Sequence, residues 1–158
     1  MRLYFLRHGH AEDGGMGSDH DRELTAEGIA RLNTAAKAMR QLEIRPAVIF
    51  SSPRVRAQQT AEIVAKALEA EVQIREEVNF RFDAPAVRRL ISQLDDEDEA
   101  MFVGHEPSMG LTVRALTGAE IEMKKGGLVR VDVLNRHTTR GVLVWLIAPK
   151  VFDALSGD

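Results

Sequence analysis

Apolar and polar positions change rhythm several times along the chain, and each change marks an element. Leu3-Tyr4-Phe5-Leu6 is a continuous apolar run, too short for a helix and suited to a strand covered on both faces. Ile29, Leu32, Ala36 and Met39 then recur at helical spacing behind a Thr25 N-cap, with Glu27 favouring the helix dipole. That first helix ends before Pro46. Ala47-Val48-Ile49-Phe50 is a second buried strand emptying into Ser51-Ser52-Pro53, and Pro53 opens a helix with Ala57, Ala61, Val64 and Leu68 on its buried face. A short strand is expected around Val72-Gln73-Ile74. Asp83 and Pro85 then open a third helix with the stripe Val87, Leu90, Ile91 and Leu94.

The acidic run from Asp95 to Glu99 closes that helix and reads as a solvated loop, because carboxylates are unfavourable at a helix C-terminus. Met101-Phe102-Val103 is a third buried strand leading into Gly104-His105-Glu106-Pro107, and a fourth helix spans Ser108 to Thr117 with Gly118 as terminator. Beyond it the period drops to two. Val129, Val131 and Val133 alternate with Leu128, Arg130 and Asp132, and a polar turn from Asn135 to Gly141 leads into Val142 to Ile147, an antiparallel hairpin. The order βαβαβαβα plus hairpin predicts an α/β fold: a three-layer αβα sandwich around a mostly parallel central sheet, with a C-terminal antiparallel hairpin. Residues 1–158 are expected to form one domain.

Composition narrows the function classes. With 44% hydrophobic and 28% charged residues, the chain reads as a soluble globular protein with a real core. A net charge of -3 supplies no overall basic field, so nucleic acid is not an expected partner and any anion site must be built locally. Without cysteine there is no disulfide, no thiolate metal site and no cysteine nucleophile. The stretch before Arg7 is too short for a signal peptide and no segment reaches the length of a membrane span. A cytoplasmic monomer without a membrane partner is expected.

The chemistry gathers at strand ends. In an open α/β sheet the C-terminal ends of the parallel strands share the functional edge. Arg7-His8-Gly9 follows the first strand, Ser51-Ser52-Pro53 the second and Gly104-His105 the third buried strand. A histidine there can act as a nucleophile through a ring nitrogen, and an adjoining arginine can grip a phosphoryl group with two prongs. Arg54 and Arg56 stand in the first turn of a helix, which repels cations unless an anion is present. The two lie on different faces, and Arg56, sharing a face with Thr60, is the favoured anion ligand. His105 can donate to a phosphoryl oxygen.

Taken in order, Arg7-His8-Gly9, Leu24-Thr25-x-x-Gly28, Ser52-Pro53-x-x-Arg56-x-x-Gln59-Thr60 and Gly104-His105-x-Pro107 resemble the motif series of the histidine phosphatase superfamily, which includes the phosphoglycerate mutases. The short chain and the form Val103-Gly104-His105-Glu106-Pro107 look like the SixA type of phosphohistidine phosphatase. The resemblance covers nearly the whole chain. It implies that His8 is the nucleophile that becomes phosphorylated, that Arg7, Gly9 and Arg56 bind the phosphoryl group, and that His105 completes the pocket. It also implies a hydrolase that needs no metal or cofactor. Its substrate would be a phosphorylated protein, such as one with a phosphohistidine domain, or a small phosphorylated molecule.

Members acting on phosphoesters need a carboxyl group to protonate an alkoxide. Glu77 is the first candidate, with Glu106 and Glu76 behind it; a phosphohistidine substrate removes the need, because imidazole is a good leaving group. The loops Met16–Glu23 and Glu120–Gly127 are the only long ones, the glycine-rich stretch Gly14–Asp21 that overlaps the first reads as flexible, and Lys124 and Lys125 read as exposed. Three rivals stand beside this reading. A metallohydrolase would use His8-Gly9-His10 with Asp19-His20-Asp21 and would be sensitive to EDTA. A non-catalytic phosphate-binding module would use the arginines but has no need of two histidines. A mutase would require a sugar-phosphate or glycerate pocket that no segment identifies.

Overall fold

Strands β1 (Arg2–Arg7), β2 (Val48–Ser51), β3 (Glu71–Ile74), β4 (Ala100–Gly104), β5 (Leu128–Val133) and β6 (Gly141–Ile147) form one sheet in the order β3-β2-β4-β1-β5-β6. The first four are mutually parallel; β5 runs antiparallel to β1 and β6 antiparallel to β5. This computed structural model describes residues 1–138 and 140–156. Thr139 of the expected Asn135–Gly141 turn, and Gly157 and Asp158 of the expected domain, lie outside the described residues.

Helices α1 (Ala26–Gln41), α2 (Val55–Leu68) and α5 (Pro149–Leu155) cover one face of the sheet, α3 (Ala84–Ile91) and α4 (Ser108–Thr117) the other. The expected three-layer α/β architecture is therefore present, and its two cores explain why β1, β2 and β4 read as unbroken apolar runs. Phe5, Phe50 and Phe102 stack across neighbouring strands at 5.2 and 5.5 Å between ring centres, filling the α3/α4 side. On the other side Ala35, Ala36, Ala57 and Ala61 are buried, and their small side chains let α1 and α2 lie close together.

Several local expectations are corrected. The C-terminal helix α5 was absent from the sequence reading: it has seven residues and buries only Pro149 and Phe152, too little for a periodic signal. It is tied down by Arg31, whose Nε and Nη2 donate to Asp153 Oδ2 at 3.0 and 2.6 Å. Ile29 is exposed, since the buried seam of α1 is Gly28, Leu32, Ala35, Ala36 and Met39. Helix α2 begins at Val55 with Arg54 as its N-cap, two residues later than Pro53, and α3 stops at Ile91, short of Leu94. The stretch Gly14–Asp21, expected to be flexible, ends in a 3-10 turn at Asp19–Asp21 capped by Ser18.

Among the described residues no helix is long and apolar enough to cross a membrane.

Candidate active site

Register brings the strand ends together. Arg7 pairs with Gly104 and Ser51 with Val103, so His8, His105 and Ser52 emerge side by side from β1, β4 and β2. Backbone hydrogen bonds carry the ladder one step past the strands: His8 N–H donates to Gly104 O at 3.0 Å and Ser52 N–H to Val103 O at 3.0 Å. The imidazoles of His8 and His105 lie 5.2 Å apart between ring centres, both buried.

The His8 ring is oriented by its own turn. Nδ1 lies 2.7 Å from Gly9 O, and a carbonyl can only accept, so the ring proton is assigned to Nδ1 and Nε2 keeps its lone pair. Arg56 Nε points at that Nε2 from 3.4 Å. Burial, then the positive charges of Arg56, Arg7 and Lys125, outweigh the Gly9 hydrogen bond and push the His8 pKa down to about 4. The neutral ring is thus the form present at physiological pH.

The flanking motif residues build this turn. Thr60 Oγ1 accepts from Gly9 N–H at 3.1 Å and donates to Arg56 O at 2.8 Å, locking helix α2 to the His8–Gly9 turn. Gln59 Oε1 accepts from Leu24 N–H at 2.8 Å, and Thr25 Oγ1 caps α1 through Gly28 N–H at 3.0 Å. A Cβ on Gly28 would stand 2.3 Å from His10 O, so only glycine lets α1 start this close to the loop.

Two arginines at the head of α2 converge on one carboxylate. Arg54 Nη1 donates to Asp19 Oδ2 at 2.6 Å, Arg56 Nη2 reaches the same oxygen at 3.3 Å, and Arg56 Nη1 donates to Asp19 O at 2.8 Å. The anion expected from their position is therefore met by a residue of the chain, and Arg54 joins Arg56 although the two were assigned to different faces. Partial burial works to raise the Asp19 pKa, but hydrogen bonds and charge from Arg22, Arg56 and Arg54 hold it below the ordinary carboxylate range. Asp19 was weighed in the sequence only as a metal ligand.

His105 Nε2 lies 2.7 Å from Ser52 Oγ, which also accepts from Arg54 N–H at 3.2 Å. If the serine hydroxyl donates to Nε2, every group of this pair is used and the ring proton sits on Nδ1, which is buried and has no partner. Burial, then His8, Arg56 and Arg54, push the His105 pKa down to about 3. Arg7 Nη1 donates to Met123 O at 2.8 Å, anchoring the guanidinium on the Glu120–Gly127 loop, while its Nε is, among the described residues, the other buried side-chain polar atom without a partner.

Phe80 was not singled out in the sequence. Its ring meets His105 edge-on with 4.9 Å between centres, and the Arg54 guanidinium lies 3.8 Å above its face. The carboxylates are placed less simply. Glu77 faces Arg75, whose Nε and Nη2 donate to it at 3.2 and 3.3 Å; those bonds, a backbone hydrogen bond and Arg89 hold it below the ordinary carboxylate range. Glu106 Oε1 accepts from Gly110 N–H at 2.6 Å, and Glu76 Oε1 from Asn79 Nδ2 at 3.0 Å. All three are engaged as acceptors.

Of the metal-site rival, His10 Nδ1 contacts Thr25 Oγ1 and His20 Nδ1 contacts Asp21. Among the described residues no three His, Cys, Asp or Glu side chains gather into a metal-binding group.

Comparison with known proteins gives the chain its family and its relatives in fold. An uncharacterized protein of Picosynechococcus sp. is 34% identical over 137 residues, covering 82% of this chain and 83% of that protein. The protein histidine phosphatase SixA, solved in complex with tungstate, superimposes with a TM-score of 0.84 at 23% identity over 96% of this chain and 99% of its own. A putative phosphohistidine phosphatase SixA from Agrobacterium tumefaciens gives 0.79 at 27% identity over 94% and 97%. Residues 3–82, which carry the first three of the four motifs, match the model of the histidine phosphatase superfamily (branch 1), and the chain belongs to that superfamily.

Proposed function

We propose that this phosphatase removes the phosphoryl group from a phosphohistidine on a protein, through a phosphohistidine intermediate on His8. The observation that carries the reading is the lone pair of His8 Nε2, set by the Nδ1–H bond to Gly9 O and aimed beside the Arg56 guanidinium. Nε2 attacks phosphorus in line. The new N–P bond forms as the bond to the substrate ring, protonated by water on its remote nitrogen, breaks, and that ring departs as neutral imidazole. Charge on the equatorial oxygens is met by Arg7, Arg56 and the His105 Nδ1–H, fixed donors in a site screened from bulk water. Water then cleaves phospho-His8, returning the neutral ring and inorganic phosphate.

The choice of phosphohistidine over a phosphoester rests on the leaving group. A phosphohistidine ring protonated on its remote nitrogen leaves as neutral imidazole, whose conjugate acid has a pKa of about 6.5, whereas an alkoxide requires a proton donor. Arg75 holds the Glu77 carboxyl below the ordinary carboxylate range, and Glu106 and Glu76 are turned to Gly110 N–H and Asn79 Nδ2. The transfer from one histidine to another exchanges like bonds and is close to thermoneutral; hydrolysis makes the cycle irreversible.

The test is phosphate release from a phosphohistidine protein, free phosphohistidine and a panel of phosphoesters. The protein substrate is expected to turn over best, wild type to acquire acid-labile phosphate, and His8→Ala to lose roughly a thousandfold or more of its activity together with the label. Turnover by His8→Ala would overturn the mechanism. Preference for an alkyl ester would overturn the substrate while leaving the nucleophile in place.

A further inference from the structure

Among the aromatic side chains, Phe80 alone sits at the site with half its surface in solvent. It is 49% exposed, while Val78 two residues before it and Phe82 two residues after it are buried in the core, so a segment anchored at both ends leaves this ring outside. Packing does not explain the placement. The ring is nevertheless held: Phe80 N–H donates to Asn79 Oδ1 at 2.9 Å, and the same oxygen accepts from Arg54 Nε at 2.8 Å. Asn79 thereby clamps the Arg54 guanidinium onto one face of the ring, and Asp19 holds the far end of that guanidinium at 2.6 Å.

The position follows from reaction geometry. With nucleophile and phosphorus at contact distance, the leaving atom lies roughly 5 Å beyond Nε2. His105 stands 5.2 Å from His8, and Phe80 is the next ring outward, 4.9 Å from His105 and 6.0 Å from the Arg56 guanidinium carbon. Exposed beside His105 and the two arginines, this ring borders the approach by which a substrate's leaving group reaches the imidazoles. We infer that Phe80 is a specificity-determining residue, an aromatic wall that packs against a planar leaving group and favours phosphorylated imidazole or aryl groups over alkyl ones. The inference deepens the proposed function by giving the chain its own means of recognising the substrate ring. Flat rings stack or meet edge-on at such a wall, whereas a short alkyl chain covers little of it.

Binding of non-hydrolysable phosphonates reads this without turnover. Affinities of phenylphosphonate and methylphosphonate are measured by calorimetry on wild type, Phe80→Ala and Phe80→Tyr, with circular dichroism to confirm folding. Wild type is expected to prefer the phenyl ligand, Phe80→Ala to reduce the phenyl-to-methyl ratio about tenfold, and Phe80→Tyr to retain it. A ratio unchanged in Phe80→Ala overturns the inference even if both affinities fall, because a loss shared by both ligands means that the ring only supports Arg54 and His105. Phosphohistidine turnover is scored separately. An enzyme that prefers phenyl ligands but ignores phosphohistidine refutes the substrate reading and leaves the wall standing; one that cleaves phosphohistidine with no phenyl preference does the reverse.

Discussion

The pocket is made of two regions built in different ways. Its floor, His8 and His105 with Ser52 between them, rides on the ends of three adjacent parallel strands, and both imidazoles are buried, 6% and 2% exposed. Its rim, Asp19, Phe80, Asn79 and the Glu76–Val78 turn, is carried by connections, and its side chains are partly in solvent and linked by ion pairs and an arginine stack. The floor cannot shift without unpicking strand register. The rim can change its partners while the fold stays as it is. A site divided this way keeps the chemistry fixed and leaves selection to the loops.

The largest test of that division is the pH dependence of stability. Both floor imidazoles are held neutral, with pKa values near 4 and near 3 against about 6.5 in the unfolded chain. As pH falls below 6.5 the unfolded state takes up protons that the folded state refuses, so stability is lost until the folded rings titrate in turn. The loss amounts to about 2–3 kcal/mol per imidazole by roughly pH 4.5. Chemical denaturation of wild type should therefore show stability rising steeply from pH 4 to 6.5, and a His8→Asn, His105→Asn double variant should flatten that rise. The rim acts lower: Asp19 and Glu77 have depressed pKa values, so what they contribute is present above the ordinary carboxylate range and vanishes as pH drops through their folded values. A double variant with an unaltered slope would break the comparison.

How much could be read from the sequence divides along the same line. His8 and His105 were legible because a buried apolar run followed by a polar turn is a local pattern, and parallel strands place their ends together by rule. Arg56 was legible for a similar reason, as a cation where a helix start requires an anion. Asp19 was not: a Gly-Gly-Met-Gly loop carries no periodicity, and its docking depends on long-range partners, Arg54 and Arg56, 35 and 37 residues further on. Phe80 lies between two buried residues in a segment that is neither helix nor strand, so nothing local separates an exposed wall from a core aromatic. Helix α5 escaped because its seven residues bury only two side chains.

A middle-sized effect isolates the charge on the rim. Asp19 places a carboxylate on the guanidiniums that a phosphoryl dianion would share, and its side chain is 49% exposed, free to swing away. Asp19→Asn keeps the shape and an acceptor oxygen, and the main-chain oxygen of residue 19 still holds Arg56 Nη1. The substitution removes the negative charge that pairs with Arg22, Arg54 and Arg56 and repels a phosphoryl dianion. Tungstate or phosphate is expected to bind about threefold to tenfold more tightly at low salt, the gain shrinking as salt rises. Weaker binding would mean that the Asp19 charge is needed to aim Arg56, making the rim as indispensable as the floor.

The smallest effect concerns Glu77. Its carboxylate is about one-third exposed and engaged by Arg75 at 3.2 Å, an arrangement worth at most about 1 kcal/mol to the fold. As a proton donor it would have to give up the partner that holds its pKa below the ordinary carboxylate range. With phosphohistidine as substrate no such donor is needed, since imidazole leaves with a conjugate-acid pKa of about 6.5, against about 15 for an alcohol-like oxygen. Glu77→Gln is therefore expected to change phosphohistidine turnover by less than about twofold, with folding intact. A loss of about tenfold or more on phosphohistidine and esters alike would give Glu77 a role at the reacting atoms. A loss confined to alkyl esters would instead show that the Glu76–Val78 turn can release Glu77 from Arg75 when a poor leaving group occupies the pocket, so that even the proton donor belongs to the adjustable rim.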